Sequence, residues 1–451
     1  MRFAFTILAL SCFQLLAQPV ELLKERREAL RSSLSNNEIA LLISYPVKQQ
    51  SLDINYEYHA NPDIRYLTGI SEPGVILLLL PHAISESSGK ATELLFVRPK
   101  NEADAIWHGA RIGKEGATTI SGVEAKVLSE LKAELKSLKP KSLTLVDVDE
   151  LIQKDPETKA ERKVIGSWIS ENLISLNKDL QRKIAEAREV KDDWEIEQMR
   201  KVINISCEGH KELIRASKNV ISEYQMESVI ESVFRWNGAQ KPAYPSIVGG
   251  SANSCVLHYN ENSAKLDQGD MVVADVGAEW NGYAADITRS FPVASNFSEE
   301  QKLIYNLVLE AQMAGIKECV PGKSFRAPND AARKVIAEGL IELGLIKSFA
   351  ESRKYFMHGT SHYLGLDVHD VGTYGDLKAG NIITVEPGIY IAEGSDCDPK
   401  WWNIGVRIED DVLITSTEPD VLSDCVPKEI PIIEKLMQEP SIFDSWKKNE
   451  E

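Results

Sequence analysis

Three of the chain's eight histidines fall within fifteen residues, His358 to Gly372, in the run HGTSHYLGLDVHDVG, together with two aspartates. Imidazole can ligate a metal, carry a proton or hydrogen-bond a substrate, so this density marks a candidate site. A second candidate is DMVVADVGAEWNGYAADITRSFPV, residues 270 to 293. There Asn281-Gly282 separates two alternating runs and predicts a type I′ hairpin. The two-residue turn sets Trp280 opposite Tyr283, Asp275 opposite Thr288 and Asp286 opposite Gly277. Asp275 and Asp286 become diagonal neighbours on one face of the sheet. Two carboxylates that close in a buried hairpin repel unless they are protonated or bridged by a cation.

Three further ionisable residues stand in apolar settings where a packing residue is expected. They are His362, Glu386 in IITVEPGIYI and Glu409 in VRIEDDVLIT. Two Asp, two Glu and one His form an oxygen-rich set that suits two hard or borderline divalent ions sharing carboxylates, whereas a structural zinc site carries more sulfur or nitrogen. Such a pair holds a water or hydroxide and clamps the oxygens of a hydrolytic transition state. HGTSH spaces two histidines like a zincin helix, but the general-base glutamate is missing and Gly359 weakens a helix. Ser361 has no G-x-S-x-G elbow around it, which argues against a serine hydrolase.

The elements that must deliver these residues change character along the chain. From Glu21 to about Leu180, the helical patterns PVELLKERREALRSSL and AKVLSELKAELKSL alternate with short apolar runs, IALLISYP, VILLLLP, ELLFVRP and SLTLVDV. This alternation predicts an α/β domain over 18–180. The charged helical stretch Ile184 to Arg215 opens a second domain, 181–445. In it, helices over Glu223–Trp236, Ser298–Cys319 and Pro328–Leu343 are interleaved with hairpin-linked strands. That mixture predicts α+β architecture with antiparallel sheets.

Whole-chain properties narrow the function classes. A chain of 451 residues, 43% hydrophobic and 26% charged, is that of a globular protein of about two domains. Its net charge of −17, with no lysine-rich run, repels phosphate backbones and argues against nucleic acid as a partner. Residues 1–17, MRFAFTILALSCFQLLA, combine Arg2, an apolar run too short to span a bilayer and a small residue at Ala17. They read as a cleavable signal peptide, giving a periplasmic or secreted protein; a lipoprotein anchored at Cys12 and a cytoplasmic protein are the alternatives. No other segment approaches the roughly 20 apolar residues of a membrane span. Six cysteines, with no C-x-x-C spacing, become five if the signal is removed. The fold is therefore not expected to depend on a disulfide framework, although one bridge can form.

Taken in order, LHYNEN, the 270–293 hairpin, HGTSHYLGLDVHDVG, ITVEPGIYI and GVRIEDD resemble the pita-bread metallopeptidases, most closely the aminopeptidase P (Xaa-Pro aminopeptidase) family. YEYHANPDIRYLTGISEPG and DAIWHGARIGKEGA are similar to that family's amino-terminal domain. The five ligand positions recur at intervals of 11, 76, 24 and 23 residues. The resemblance implies a pita-bread catalytic domain, with Asp275 a terminal ligand of one metal, Asp286 and Glu409 bridging two, and His362 and Glu386 completing the second. It implies manganese, with cobalt or zinc as alternatives. His258, His358 and His369 would lie around the substrate, and Arg407 would support the ligands from behind. Trp107 would correspond to an aromatic that reaches a neighbouring subunit's site in tetrameric relatives. The implied reaction is attack of a metal-bridging hydroxide on the carbonyl before proline, with Glu386 passing a proton to the leaving imino nitrogen. Partners would be peptides beginning Xaa-Pro and further copies of the chain, as a homodimer or homotetramer.

The nearest rival, an Xaa-Pro dipeptidase (prolidase), shares the ligands but must also bind a free carboxylate directly after proline. Creatinase-like amidinohydrolases and non-catalytic pita-bread binding proteins lack the full ligand set, which is complete here. Asp367 and Asp370 are expected to serve the local backbone.

Overall fold

The computed structural model describes residues 18–145 and 158–445. The expected signal peptide, residues 1–17, lies outside the described residues, as does the end of the SLTLVDV run. The chain forms two compact units, Met1–Ala187 and Arg188–Glu451. No described helix is long and apolar enough to cross a membrane.

In the first unit the apolar runs form a six-stranded sheet, ordered Ala125–Val127, Glu93–Val97, Ile76–Leu79, Glu38–Ile43, Ser142–Leu145, Ser175–Asn177. Glu38–Ile43 and Ile76–Leu79 are wholly buried and pair antiparallel, so both faces of the sheet's centre are covered. AKVLSELKAELKSL departs from its helical reading. Its first three residues pair in parallel with the Glu93–Val97 strand, and only Leu131–Leu135 is α-helical. Parallel pairing against a buried strand overrides the segment's intrinsic helix propensity.

The second unit is built from helices and wholly antiparallel strand pairs, as its pattern predicts. Helices Glu223–Trp236, Glu299–Lys317 and Ala327–Glu342 occupy the three expected segments. The stretch Ile184–Arg215 is two helices, Asp179–Arg188 and Asp193–Ala216. The break has a local cause: Asp192 accepts from the Glu195 amide at 2.9 Å while the Glu195 carboxylate accepts from the Asp192 amide at 3.3 Å, a capping box that starts a new helix.

Four strands read as continuous are each split in two, and the splits share a purpose. MVVADVGAEW becomes Met271–Asp275 and Ala278–Trp280, and YAADITRSFPV becomes Tyr283–Ala284 and Thr288–Pro292. IITVEPGIYI divides into Ile382–Val385 and Gly388–Ile391, and the GVRIEDDVL run into Ile404–Arg407 and Asp410–Leu413. The hairpin register survives its split, with Trp280 opposite Tyr283 and Asp275 opposite Thr288. Asn281 and Gly282 both have positive φ, as a type I′ turn requires. At the split, a Cβ on Gly277 would lie 1.7 Å from the Ala285 carbonyl oxygen, so only glycine permits that approach. An isolated bridge between Thr288 and Glu409 then joins the two sets of strands.

Cys207, on Asp193–Ala216, is disulfide-bonded to Cys425 near the C-terminus, in line with the expectation that one bridge can form. Cys255, Cys319 and Cys397 are free thiols. Alkylation of the unfolded, unreduced protein lacking residues 1–17 should therefore label three thiols, and five after reduction, as read by intact mass. Five before reduction would show that the bridge does not form.

Candidate metal centre

Asp275 ends one half-strand, and Asp286, Glu386 and Glu409 each occupy a gap between half-strands. A gap frees a residue from the alternating pleat, so all four carboxylates converge on one cavity of about 320 Å³. The histidine-rich run supplies the remaining side. Tyr363 bridges Ile383, the His362 amide donates to Thr384 Oγ1 at 3.1 Å, and the Glu386 amide donates to the Thr360 carbonyl at 2.8 Å. His362 is thereby laid beside Glu386. The cavity is lined by all five predicted ligands together with His258, His358, His369 and Arg407.

His362 Nδ1 lies 3.0 Å from the Tyr363 carbonyl and donates to it in the neutral ring. Its Nε2 then faces the acids, 3.4 Å from Asp286 and 3.7 Å from Glu386. Asp286, His362 and Glu409 each offer an atom within 4.8 Å of the others. Asp275 joins the group through a residue the sequence reading missed. The Tyr244 hydroxyl sits 2.7 Å from Asp275 Oδ1 and 2.6 Å from Asp286 Oδ1. One phenol has one proton, so it cannot donate to both carboxylates at once. The second contact needs a proton on the acid or a cation nearby.

Arg407 braces the same acids. Nη2 donates to Asp275 Oδ2 at 2.6 Å, Nε to Thr288 Oγ1 at 3.2 Å and Nη1 to the Tyr390 hydroxyl at 2.9 Å. Thr288 passes a hydrogen bond of 2.5 Å on to Glu409, and Tyr390 lies 2.9 Å from His358 Nε2. Asp411, buried behind the site, accepts from the Asp286 amide at 3.2 Å. Neither Tyr390, Thr288 nor Asp411 carries a sequence signal of its role.

Burial and mutual repulsion dominate the electrostatics. Glu409 is pushed well above the carboxylate range, first by burial and then by the charges of Asp286, Glu386 and Asp275. Asp286 is raised by burial and by Asp275. Burial carries Glu386 to about 7 against the opposing pull of His362 and Arg407. Burial lowers the His362 pKa, but the Asp286 hydrogen bond and charge and the Glu386 charge outweigh it and carry the ring to about 9. An uncompensated buried charge costs about 3–5 kcal/mol, and a whole domain has only about 5–15 kcal/mol of stability. Arg407 alone cannot offset four carboxylates. Divalent cations fit what remains: several crowded oxygens and one imidazole whose Nε2 faces them and can ligate once its proton is displaced.

The two aspartates of the opening run serve more than the local backbone. Asp370 accepts from Lys191 Nζ at 2.8 Å and from the Arg188 guanidinium as well as from the Val371 amide at 3.0 Å, while Asp367 pairs with Arg188 at 3.2 Å. These ion pairs fasten the run to the residues that precede Asp193–Ala216. Trp107 is not among the residues lining the cavity; it lies on Glu102–His108 of the first unit and is 82% exposed.

Comparison with known proteins gives two family matches, metallopeptidase family M24 over residues 197–416 and the aminopeptidase P N-terminal domain over 23–146. The chain is 37% identical to an Xaa-Pro aminopeptidase of Haemophilus influenzae, over 93% of this chain and 97% of the relative. Among solved structures it is similar to proline aminopeptidase P II from Yersinia pestis, with TM-score 0.84, 33% identity, and coverage of 93% of this chain and 99% of that one. It is also similar to aminopeptidase P from Escherichia coli with the inhibitor Pro-Leu, with TM-score 0.83, 33% identity and coverage of 93% and 98%.

The crowded acids make metal-free stability pH-dependent in a definite direction. Glu386 at about 7 stands above an unfolded value of about 4.3, so between these the folded state holds the extra proton and stability falls as pH rises. His362 extends the loss toward about 9. Bound metal replaces those protons. The melting-temperature gap between metal-loaded and chelated protein should therefore widen steadily from about pH 5 to about pH 8. A gap that stays constant over this range would contradict the assignment.

Proposed function

The chain belongs to metallopeptidase family M24, and from that premise we propose that it is a metal-dependent aminopeptidase that releases the N-terminal residue from peptides with proline second. The observation that carries the reading is the convergence of Asp275, Asp286, His362, Glu386 and Glu409 on one cavity that His258, His358 and His369 also line. These five would hold two divalent ions, manganese before cobalt or zinc. When bound, the ions supply an activated water and a Lewis acid for the scissile carbonyl.

The rest belongs to the chain's own side chains. Burial and the nearby Arg407 hold the His358 pKa at about 4, so the ring meets substrate neutral, as a hydrogen-bonding group. Glu386, whose Oε2 lies 3.6 Å from His358 Nδ1, would carry a proton to the imino nitrogen of the departing proline. Arg407, through Tyr390 and Thr288, keeps His358 and Glu409 in position. Proline offers no amide N–H, so recognition must come from shape and from the carbonyl contacts, which His258 and His369 can supply.

Residues 18–180 would form the amino-terminal domain and 181–445 the catalytic one, a division the two family matches support. A homodimer or homotetramer would give the exposed Trp107 a role at a neighbouring site. Export is supported by the 1–17 pattern and by the Cys207–Cys425 bridge, a linkage that persists in oxidising compartments. Mass spectrometry of the mature N-terminus decides it.

The manganese-loaded protein should cleave Gly-Pro-Gly and longer Xaa-Pro peptides, whereas turnover confined to dipeptides such as Gly-Pro would favour a dipeptidase. His362→Ala should lower metal occupancy. His358→Ala and His369→Ala should keep the metal and slow turnover by roughly 10²-fold. Equal metal loss in all three would show that the histidines are wrongly divided between metal and substrate.

A further inference from the structure

A second cavity of about 580 Å³ adjoins the active-site cavity and shares His358, Gly359 and Ser361 with it in its lining. The far wall is cationic. Arg326 and Arg333 lie on one face at the start of Ala327–Glu342, seven residues apart, and Arg353 enters from Phe349–Lys354.

Among the described residues none of these three arginines is in an ion pair. Arg333 rests over the Phe356 ring at 5.0 Å, with its Nη1 atom buried and unbonded. Burial and the facing charge of Arg353 lower the Arg333 pKa, and Asp330 is the nearby carboxylate that opposes them. Guanidinium groups left this close without partners, in a chain of net charge −17, form a local well for anions within a repulsive field.

We propose that this cavity is a subsite for a carboxylate on the leaving side of the peptide, carried by the residues that follow the proline. The proposal rests on the aminopeptidase reading above and adds a preference to it. Direction follows from charge. The substrate's ammonium end belongs with the acidic cluster, so the opposite end of a short zwitterionic peptide falls to the arginines. An aminopeptidase has one residue before the scissile bond, and a cavity of this size beyond His358 suits the chain that continues after it. Two sources share this chemistry, the terminal carboxylate of a tripeptide and an acidic side chain in a longer peptide.

The test uses the manganese-loaded full-length enzyme and three peptide pairs. Gly-Pro-Gly against its C-terminal amide reads the terminal carboxylate. Gly-Pro-Glu-amide against Gly-Pro-Gln-amide reads the side chain. The wild type should prefer the carboxylate member of at least one of these two pairs by about tenfold in kcat/KM, mostly through KM, with the preference shrinking as salt rises. Arg353→Ser and Arg326→Ser, both at exposed positions, should flatten that preference while leaving kcat on Gly-Pro-Gly-amide unchanged. Arg333→Lys should retain part of it. An unchanged preference in the variants overturns the proposal, as does a change confined to Glu-Pro-Gly-amide against Gln-Pro-Gly-amide, which would put the cavity on the amino side. A wild type inert on every tripeptide would instead defeat the aminopeptidase reading itself.

Discussion

Four carboxylates driven into one buried cavity are the constraint on which the second unit depends. Asp275, Asp286 and Glu409 are each less than a tenth exposed, and Arg407 is the guanidinium braced against them. Left ionised, such a cluster would work against folding by several kcal/mol per charge. Protons can relieve it at low pH and divalent cations at neutral pH. The surrounding structure prepares for cations: Tyr244, Thr288 and Arg407 fix the carboxylate oxygens, and the Tyr363 carbonyl turns the free nitrogen of His362 toward them.

That preparation explains why the sheets are broken where they are. A continuous strand would alternate its side chains between faces and could present at most every second residue to the cavity. Splitting four strands at corresponding places puts one acid at each break, and the Thr288–Glu409 bridge brings the breaks together. Gly277 is required at the first break because the Ala285 carbonyl fills the space of its Cβ. Behind the carboxylate cluster, Asp370 with Arg188 and Lys191 anchors the loop that carries His362, so the loop's charged residues divide between the cavity and anchorage.

Much of this could be read in the sequence where the signal was local. Asn281-Gly282 fixes a hairpin register, and the register alone makes Asp275 and Asp286 neighbours. The capping box at Asp192 is equally local, yet the charged periodicity on both sides masks it, so the helical stretch shows no break in the sequence. The parts that could not be read depend on contacts far apart in the chain. Tyr244 reaches acids 31 and 42 residues away and Arg407 reaches Asp275 across 132, with no spacing rule to announce either. Strand breaks were missed for a related reason: apolar runs look continuous when the interruption is only two or three residues long.

Whether the cluster holds two ions decides the chemistry of the site. Chain loaded with manganese, freed of excess by gel filtration and measured for metal and protein together, should carry two ions per chain at neutral pH. One ion per chain, or none, would contradict the two-ion reading.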